Sequence, residues 1–260
     1  MKSIDWKRNE VLVFAVIVAF CVLAAISDPN FLSIPTLTDL MRNSIVLGIF
    51  AVGAMVVLVS GGIDVSFTAV AAFAMYATTV LLRDMAPDMP WPLATLIGAV
   101  LGAINGVLIA FCGLPTLIVT LGTLSVFRGF LLTFVGTLQI SNLPPGMRDF
   151  SRWMMIRGTN SDGSFYSLPW AFAALVIIVV ATWFILNRTM LGRAVYAIGG
   201  APESARRIGI NVQKTQFFIY VFVGALAGLA GIIHASMARI SNPFDLVGLE
   251  LAVIAAVVLG

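Results

Sequence analysis

Seven stretches of this chain, at 10–27, 44–60, 65–82, 91–111, 116–136, 168–186 and 216–236, are each long and apolar enough to cross a lipid bilayer as one helix. The hydrocarbon core is about 30 Å thick and takes roughly 20 helical residues. Within it backbone polar groups must find partners inside the protein, and a lone apolar run does so by forming a helix. An eighth run starts after Glu250 and reaches Gly260. Ten residues rise only about 15 Å, so this run is expected either to re-enter the membrane or to be cut short. Composition agrees with the runs. The chain is 60% apolar and 10% charged, against about 45–50% and about 25% in soluble domains. Too little polar surface remains to cover a soluble particle of 260 residues. The expected fold is all-α: a polytopic transmembrane bundle of about seven or eight spans. It forms a single transmembrane domain over 1–260, read as incomplete at its C-terminal end.

The net charge of +3 is small and dispersed, and does not point to nucleic acid. Its distribution sets an orientation, because cytoplasmic loops collect Lys and Arg. Lys2, Lys7 and Arg8 precede the first run, and Arg188, Arg193, Arg206, Arg207 and Lys214 lie in 187–215, six crossings later. The loops at 28–43, 83–90 and 137–167 hold Arg42, Arg83, Arg148, Arg152 and Arg157, and the first two also carry Asp28, Asp39, Asp84 and Asp88. A cytoplasmic N-terminus is therefore expected. Asp5 and Glu10 interrupt the basic start and no small-residue cleavage site follows the first run, so it reads as a retained span rather than a signal peptide. Cys21 and Cys112 lie in or beside apolar runs without metal spacing, and are expected to be buried packing residues.

Four features carry chemistry or assembly. Gly98, Gly102 and Gly106 form one ridge of small residues, and Gly224 and Gly228 another, which let helices approach closely within one subunit or between subunits. Gly61-Gly62-Ile63-Asp64-Val65-Ser66 separates two runs with almost no loop. Asp64 there is either a cap for the next helix or a residue of a transport path. Arg128 is the one basic residue inside a firm span. It should face protein or water and find a partner, with Asn105 and Asp64 the available polar groups. Within 187–215, the segment 202–208 reads as a short helix with both ends marked. Pro202 suits its first position, Glu203 its positive end, Arg206 and Arg207 its negative end, and Gly209 the position past it. A mere connection needs no capped helix, so the segment is read as a docking element for a soluble partner, the alternative being a loop lying on lipid headgroups. His234, the single histidine, has no second ligand residue nearby, so no metal is expected, nor any cofactor. No nucleotide-phosphate motif, nucleophile–base pair or carboxylate dyad appears, and the chain does not read as an enzyme.

Taken together and in order, several segments resemble the permease subunits of bacterial ABC sugar importers of the ribose/xylose/arabinose type. They are Gly61–Ser66, Asn105-Gly106 through Leu114-Pro115, Ile118 to Thr123-Leu124 with Arg128-Gly129, Ala197-Ile198-Gly199-Gly200 with Gly209-Ile210-Asn211, and 254–260. The resemblance implies an inner-membrane protein of about ten spans that works with a cytoplasmic ATP-binding subunit, a periplasmic sugar-binding protein and a second permease subunit. It implies that ATP hydrolysis belongs to the partner. The loop 187–215 would supply the coupling helix, with Gly200, Pro202, Glu203, Ala205, Arg206, Arg207 and Gly209 at the contact. Asp64, Asn105 and Arg128 are the candidate substrate-path residues. The rival readings are an ion- or proton-coupled secondary transporter, which expects broken helices and acidic groups at mid-membrane, and a membrane anchor without transport.

Overall fold

A computed structural model describes residues 9–27, 31–83, 90–160 and 163–259. The basic residues Lys2, Lys7 and Arg8, and Asp28, Asp84 and Asp88, lie outside the described residues. The helices are α1 (Asn9–Ser27), α2 (Ile34–Val59), α3 (Phe67–Leu82), α4 (Trp91–Ala110), α5 (Thr116–Phe130), α6 (Pro145–Phe150), α7 (Ala171–Arg188), α8 (Met190–Gly200), α9 (Pro202–Arg207), α10 (Val212–Ala238) and α11 (Glu250–Leu259). A π-turn at Leu131–Val135 extends α5. Five helices, counting α5 with its extension, have the length and apolarity to cross a membrane, and α1, α3 and α11 are shorter apolar helices.

The α4–α10 pair is the keel of the bundle. Methyl groups at Gly98, Gly102, Gly224 or Gly228 would each run into the facing helix's backbone carbonyl. The two ridges therefore interlock with each other inside one chain, and backbone lies on backbone. Such contact supplies packing energy that lipid-solvated side chains cannot. Across α10, Gly231 faces the Ala71 carbonyl of α3, and Gly53 of α2 faces Val223 at 3.3 Å. α2, α3 and α4 thus wrap α10, whose buried face runs from Val212 to Ser236. α1 and α7 present mostly exposed apolar side chains, as expected where lipid is the solvent.

Three features depart from the sequence expectations. First, α2 begins ten residues earlier than the apolar run, at Ile34, where Ser33 caps it by accepting from the Thr36 N–H and Pro35 fills its first turn. Asp39 and Arg42 therefore lie on a helix, not in a loop. Second, 137–167 is not a plain loop. It holds α6 and the start of an antiparallel hairpin, β1 (Met154–Thr159) with β2 (Phe165–Pro169), kinked by a bulge near Met154. Third, Cys21 and Cys112 are exposed rather than buried, on surfaces that packing within this chain leaves open.

α3 has 16 residues, rising about 24 Å against a core of about 30 Å, and α11 is the last helix described. Irregular chain precedes each: 61–66 before α3, and 239–249, largely turns and bends, before α11. The second segment turns at Arg239, which is left-handed (φ 59°), and pairs Ser241 with Ile140. The bundle has two ends, one bearing α8 and α9, the other bearing the hairpin.

Candidate functional site

The segment Gly61–Ser66 is fixed by side chains because it has no helix or sheet to satisfy its backbone. The Ile63 N–H donates to Thr116 Oγ1 (3.2 Å), and Thr120 Oγ1 donates back to the Ile63 carbonyl (3.3 Å). Asp64 accepts from both the Ser66 N–H and the Ser66 hydroxyl, each at 2.7 Å. Ser66 Oγ in turn accepts from Asn105 Nδ2 at 2.8 Å. The Tyr220 hydroxyl bonds to Thr116 and stands 3.0 Å from the place a Cβ on Gly62 would take. A carboxylate at the start of a helix meets unpaired N–H groups and the positive end of the dipole. Asp64 thus binds Ser66, the residue that opens α3, an arrangement compatible with its capping reading. Asp64 is 5% exposed and Asn105 1% exposed. Asn105 Oδ1 is buried with no partner among the described residues.

α11 starts in the same manner. Glu250 Oε2 accepts from the Gly248 N–H (2.8 Å) and from Thr68 Oγ1 (2.9 Å). α3 and α11 therefore begin near each other, with Asp64 just ahead of the first and Glu250 opening the second. Sequence reasoning did not single out Glu250. A lone acid opening an apolar run was the available signal.

Arg128 does not join this cluster. α5 turns Val119, Thr120, Thr123 and Phe127 inward, and Arg128 lies about 100° further round the helix. It is exposed, and among the described residues it has no hydrogen bond or ion pair. The expectation that Asn105 or Asp64 pairs with it is corrected: both are bound to Ser66. Gly122, Ser125 and Gly129 share its open side, with nothing within 4 Å of a Cβ built on either glycine.

Beside the last residue of α2, next to the Gly61–Ser66 segment, lie α8 and α9. Thr189 caps α8 by accepting from the Gly192 N–H (3.2 Å), and α8 was not anticipated from the sequence. α9 runs Pro202–Arg207, Ile208 ends it, and Gly209 takes positive φ (86°), as the end signals predict. Gly200, Pro202, Glu203, Arg206, Arg207 and Gly209 are exposed. Ala205 is not. It is 2% exposed and packs on Ile198 and Val212. The expectation that Ala205 forms a partner contact is corrected: it anchors α9 to its own chain. Ile208, 75% exposed at the tip, is the apolar group on offer instead. Glu203 and Arg206 pair at 3.3 Å in solvent, a contact worth little to stability.

The family described as "Branched-chain amino acid transport system / permease component" matches residues 36–260. The chain belongs to this family, and its motifs place it with the permeases of ABC sugar importers of the ribose/xylose type. It is a multi-pass membrane protein and is not itself the catalytic subunit of such a system. It is 33% identical over 261 residues to the autoinducer 2 import system permease protein LsrC of Salmonella typhi, covering 100% of this chain and 72% of that protein. The LsrC protein of Enterobacter sp. (strain 638) is 33% identical over 263 residues, covering 100% and 73%. That of Yersinia pestis (strain Pestoides F) is 30% identical over 266 residues, covering 100% and 71%. No solved structure matches.

Proposed function

We propose that the chain forms the translocation path of an ATP-driven importer of monosaccharide-like molecules and receives its motion through α9. The hairpin end faces outward and the α9 end faces the cytoplasm, where a separate ATP-binding subunit takes hold of α9. A periplasmic binding protein delivers cargo to the hairpin end, and a second permease subunit completes the path. The observation that carries this reading is the build of α9. Ala205 and Ile198 hold it to the chain, while Ile208, Arg206 and Arg207 project from it into water. An exposed isoleucine flanked by charges is costly to leave in water and suits a protein groove.

The open side of α5 with Arg128 is read as facing the path or the second subunit, since a cation in lipid is costly. Asp64 and Asn105, bound inside the chain, hold the start of α3 in position. The relatives' names add autoinducer 2 to the cargoes worth testing. The secondary-transporter reading draws support from the short helix α3. The carboxylates near it, however, are engaged inside the chain, Asp64 by Ser66 and Glu250 by Gly248 and Thr68.

The test is co-purification of the ATP-binding subunit with the chain, and ATP-dependent uptake in reconstituted vesicles, for Ile208→Glu and for Arg206→Glu with Arg207→Glu. Both substitutions are expected to abolish co-purification and uptake while the chain still inserts. Unchanged co-purification and uptake in both would remove α9 from the mechanism. Uptake that needs an ion gradient and not ATP would favour the secondary transporter.

A further inference from the structure

Asp39, Arg42, Asn43 and Val46 follow the i, i+3, i+4, i+7 spacing that places side chains on one face of a helix, here α2. All four line a cavity of about 500 Å³, and cavities that hold small molecules measure about 300–1,000 Å³. Its other wall is the end of α10 and the segment after it, with His234, Met237 and Leu246. The cavity belongs to the hairpin end, because α2 packs on β2 there and Ser241 is bridged to Ile140. His234 Nε2 lies 3.5 Å from Asp245 Oδ2, which ties the imidazole to the returning segment. Among the described residues Asp39, Arg42 and Asn43 make no side-chain hydrogen bond or ion pair. Polar groups on a membrane helix need water or a partner, and these three share one opening.

We propose that this cavity binds a neutral, polyhydroxylated molecule of monosaccharide size. The inference rests on the importer reading and names where cargo is held after it enters from the hairpin end. The lining favours that chemistry. Sugar hydroxyls donate to the Asp39 carboxylate and accept from Arg42 and Asn43, while the C–H face of the ring lies on Met237 and Leu246. One carboxylate and one guanidinium side by side balance each other, so an anion would face Asp39 and a cation would face Arg42. A neutral polyol meets neither opposition.

The experiment uses the full chain in membranes, with Cys21 and Cys112 replaced by Ser and a single cysteine introduced as Leu47→Cys or, separately, Ala238→Cys. Both positions line the cavity. A membrane-impermeant maleimide is added from the hairpin side, with and without excess D-ribose, D-xylose, L-arabinose or D-glucose. At least one sugar is expected to slow labelling at both positions, and Asp39→Asn or Arg42→Gln to raise its half-protecting concentration about tenfold or more, the loss of one charge-assisted hydrogen bond. Failure of both cysteines to react, although they react after denaturation, means protein or lipid fills the cavity and overturns the proposal. Labelling that no sugar slows, or protection indifferent to Asp39→Asn and Arg42→Gln, overturns it as well. Co-purification of the ATP-binding subunit from the same membranes separates the two readings. If it is retained without protection, the sugar site alone falls. If protection is found without it, the site stands and ATP coupling falls.

Discussion

Gly199, at the end of α8, lies against the last residue of α2. A Cβ on Gly199 would stand 3.0 Å from the Val59 carbonyl carbon and would run into its oxygen. The α8–α9 corner is thereby seated on the residues that lead into Gly61–Ser66, with Gly61 3.4 Å from the Gly199 Cα, measured from a Cβ placed on Gly61. Under the proposed coupling, a push on α9 would reach the start of α3 through these two backbone contacts. Gly199→Ala is expected to reduce uptake strongly while insertion persists, and Gly200→Ala, with open space around it, to keep wild-type uptake. Equal uptake for the two variants in vesicles would show that the contact carries no motion.

The keel gives a second expectation. Gly98→Leu and Gly224→Leu each place a branched side chain where backbone already stands, and overpacking alone costs about 1–3 kcal/mol and often more. Both should lower the denaturation midpoint in detergent markedly. Gly122→Leu, on the open side of α5, should leave it near wild type. A drop of similar size for Gly122→Leu would mean that α5 is packed on its outer side as well.

Asp64 and Ser66 should act as a unit. Removing the Ser66 hydroxyl leaves both Asp64 and Asn105 short of a partner, and an unsatisfied buried polar group costs about 1–3 kcal/mol. Ser66→Ala and Asp64→Ala are each expected to destabilise the chain by that order, and the double variant by less than their sum. Thermal denaturation of the four proteins measures the coupling, and strict additivity would sink the shared role.

For Arg128 the structure separates stability from transport. With no partner among the described residues, Arg128→Ala should fold as well as Arg152→Ala, yet lose uptake that Arg152→Ala retains. Loss of expression for Arg128→Ala alone would instead point to a partner within the subunit.

Orientation is measured by labelling. Cysteines at Gly158 and Phe165 of the hairpin should react with an impermeant thiol reagent in intact cells, and cysteines at Arg206 and Ile208 only after permeabilisation. The opposite pattern would invert the orientation proposed for the chain.

Much of the architecture was legible because lipid demands long apolar helices, and the apolar runs fall on α1 to α5, α7, α10 and α11 with ends that differ by a few residues, the start of α2 excepted. The α9 boundaries were legible for a different reason: Pro202, Glu203 and Gly209 are local signals that need no tertiary context. The early start of α2 was hidden by Asp39, Arg42 and Asn43, polar residues that interrupt the apolar run but continue the helix. The hairpin was hidden because neither strand alternates between a buried and an exposed face: β1 is mostly exposed and β2 grades from exposed to buried along its length. Whether Asp64 caps or conducts, and whether Arg128 has a partner, depends on how helices distant in sequence are rotated against each other. No local pattern encodes that rotation, so those roles required the assembled bundle.

The interlocked glycines of α4 and α10 also set a problem of timing. About a hundred residues separate the end of α4 from the start of α10, which is roughly 5–20 s of synthesis at typical elongation rates. During that interval the ridge at Gly98, Gly102 and Gly106 has no companion and only lipid chains to fill it. The nascent protein enters the membrane with that ridge unpaired until α10 arrives, so the keel forms late. Any quality-control protease or insertion factor that reads exposed glycine grooves would meet this chain at that stage. A slowed ribosome anywhere between Phe111 and Asn211 would lengthen the exposure by the length of the pause.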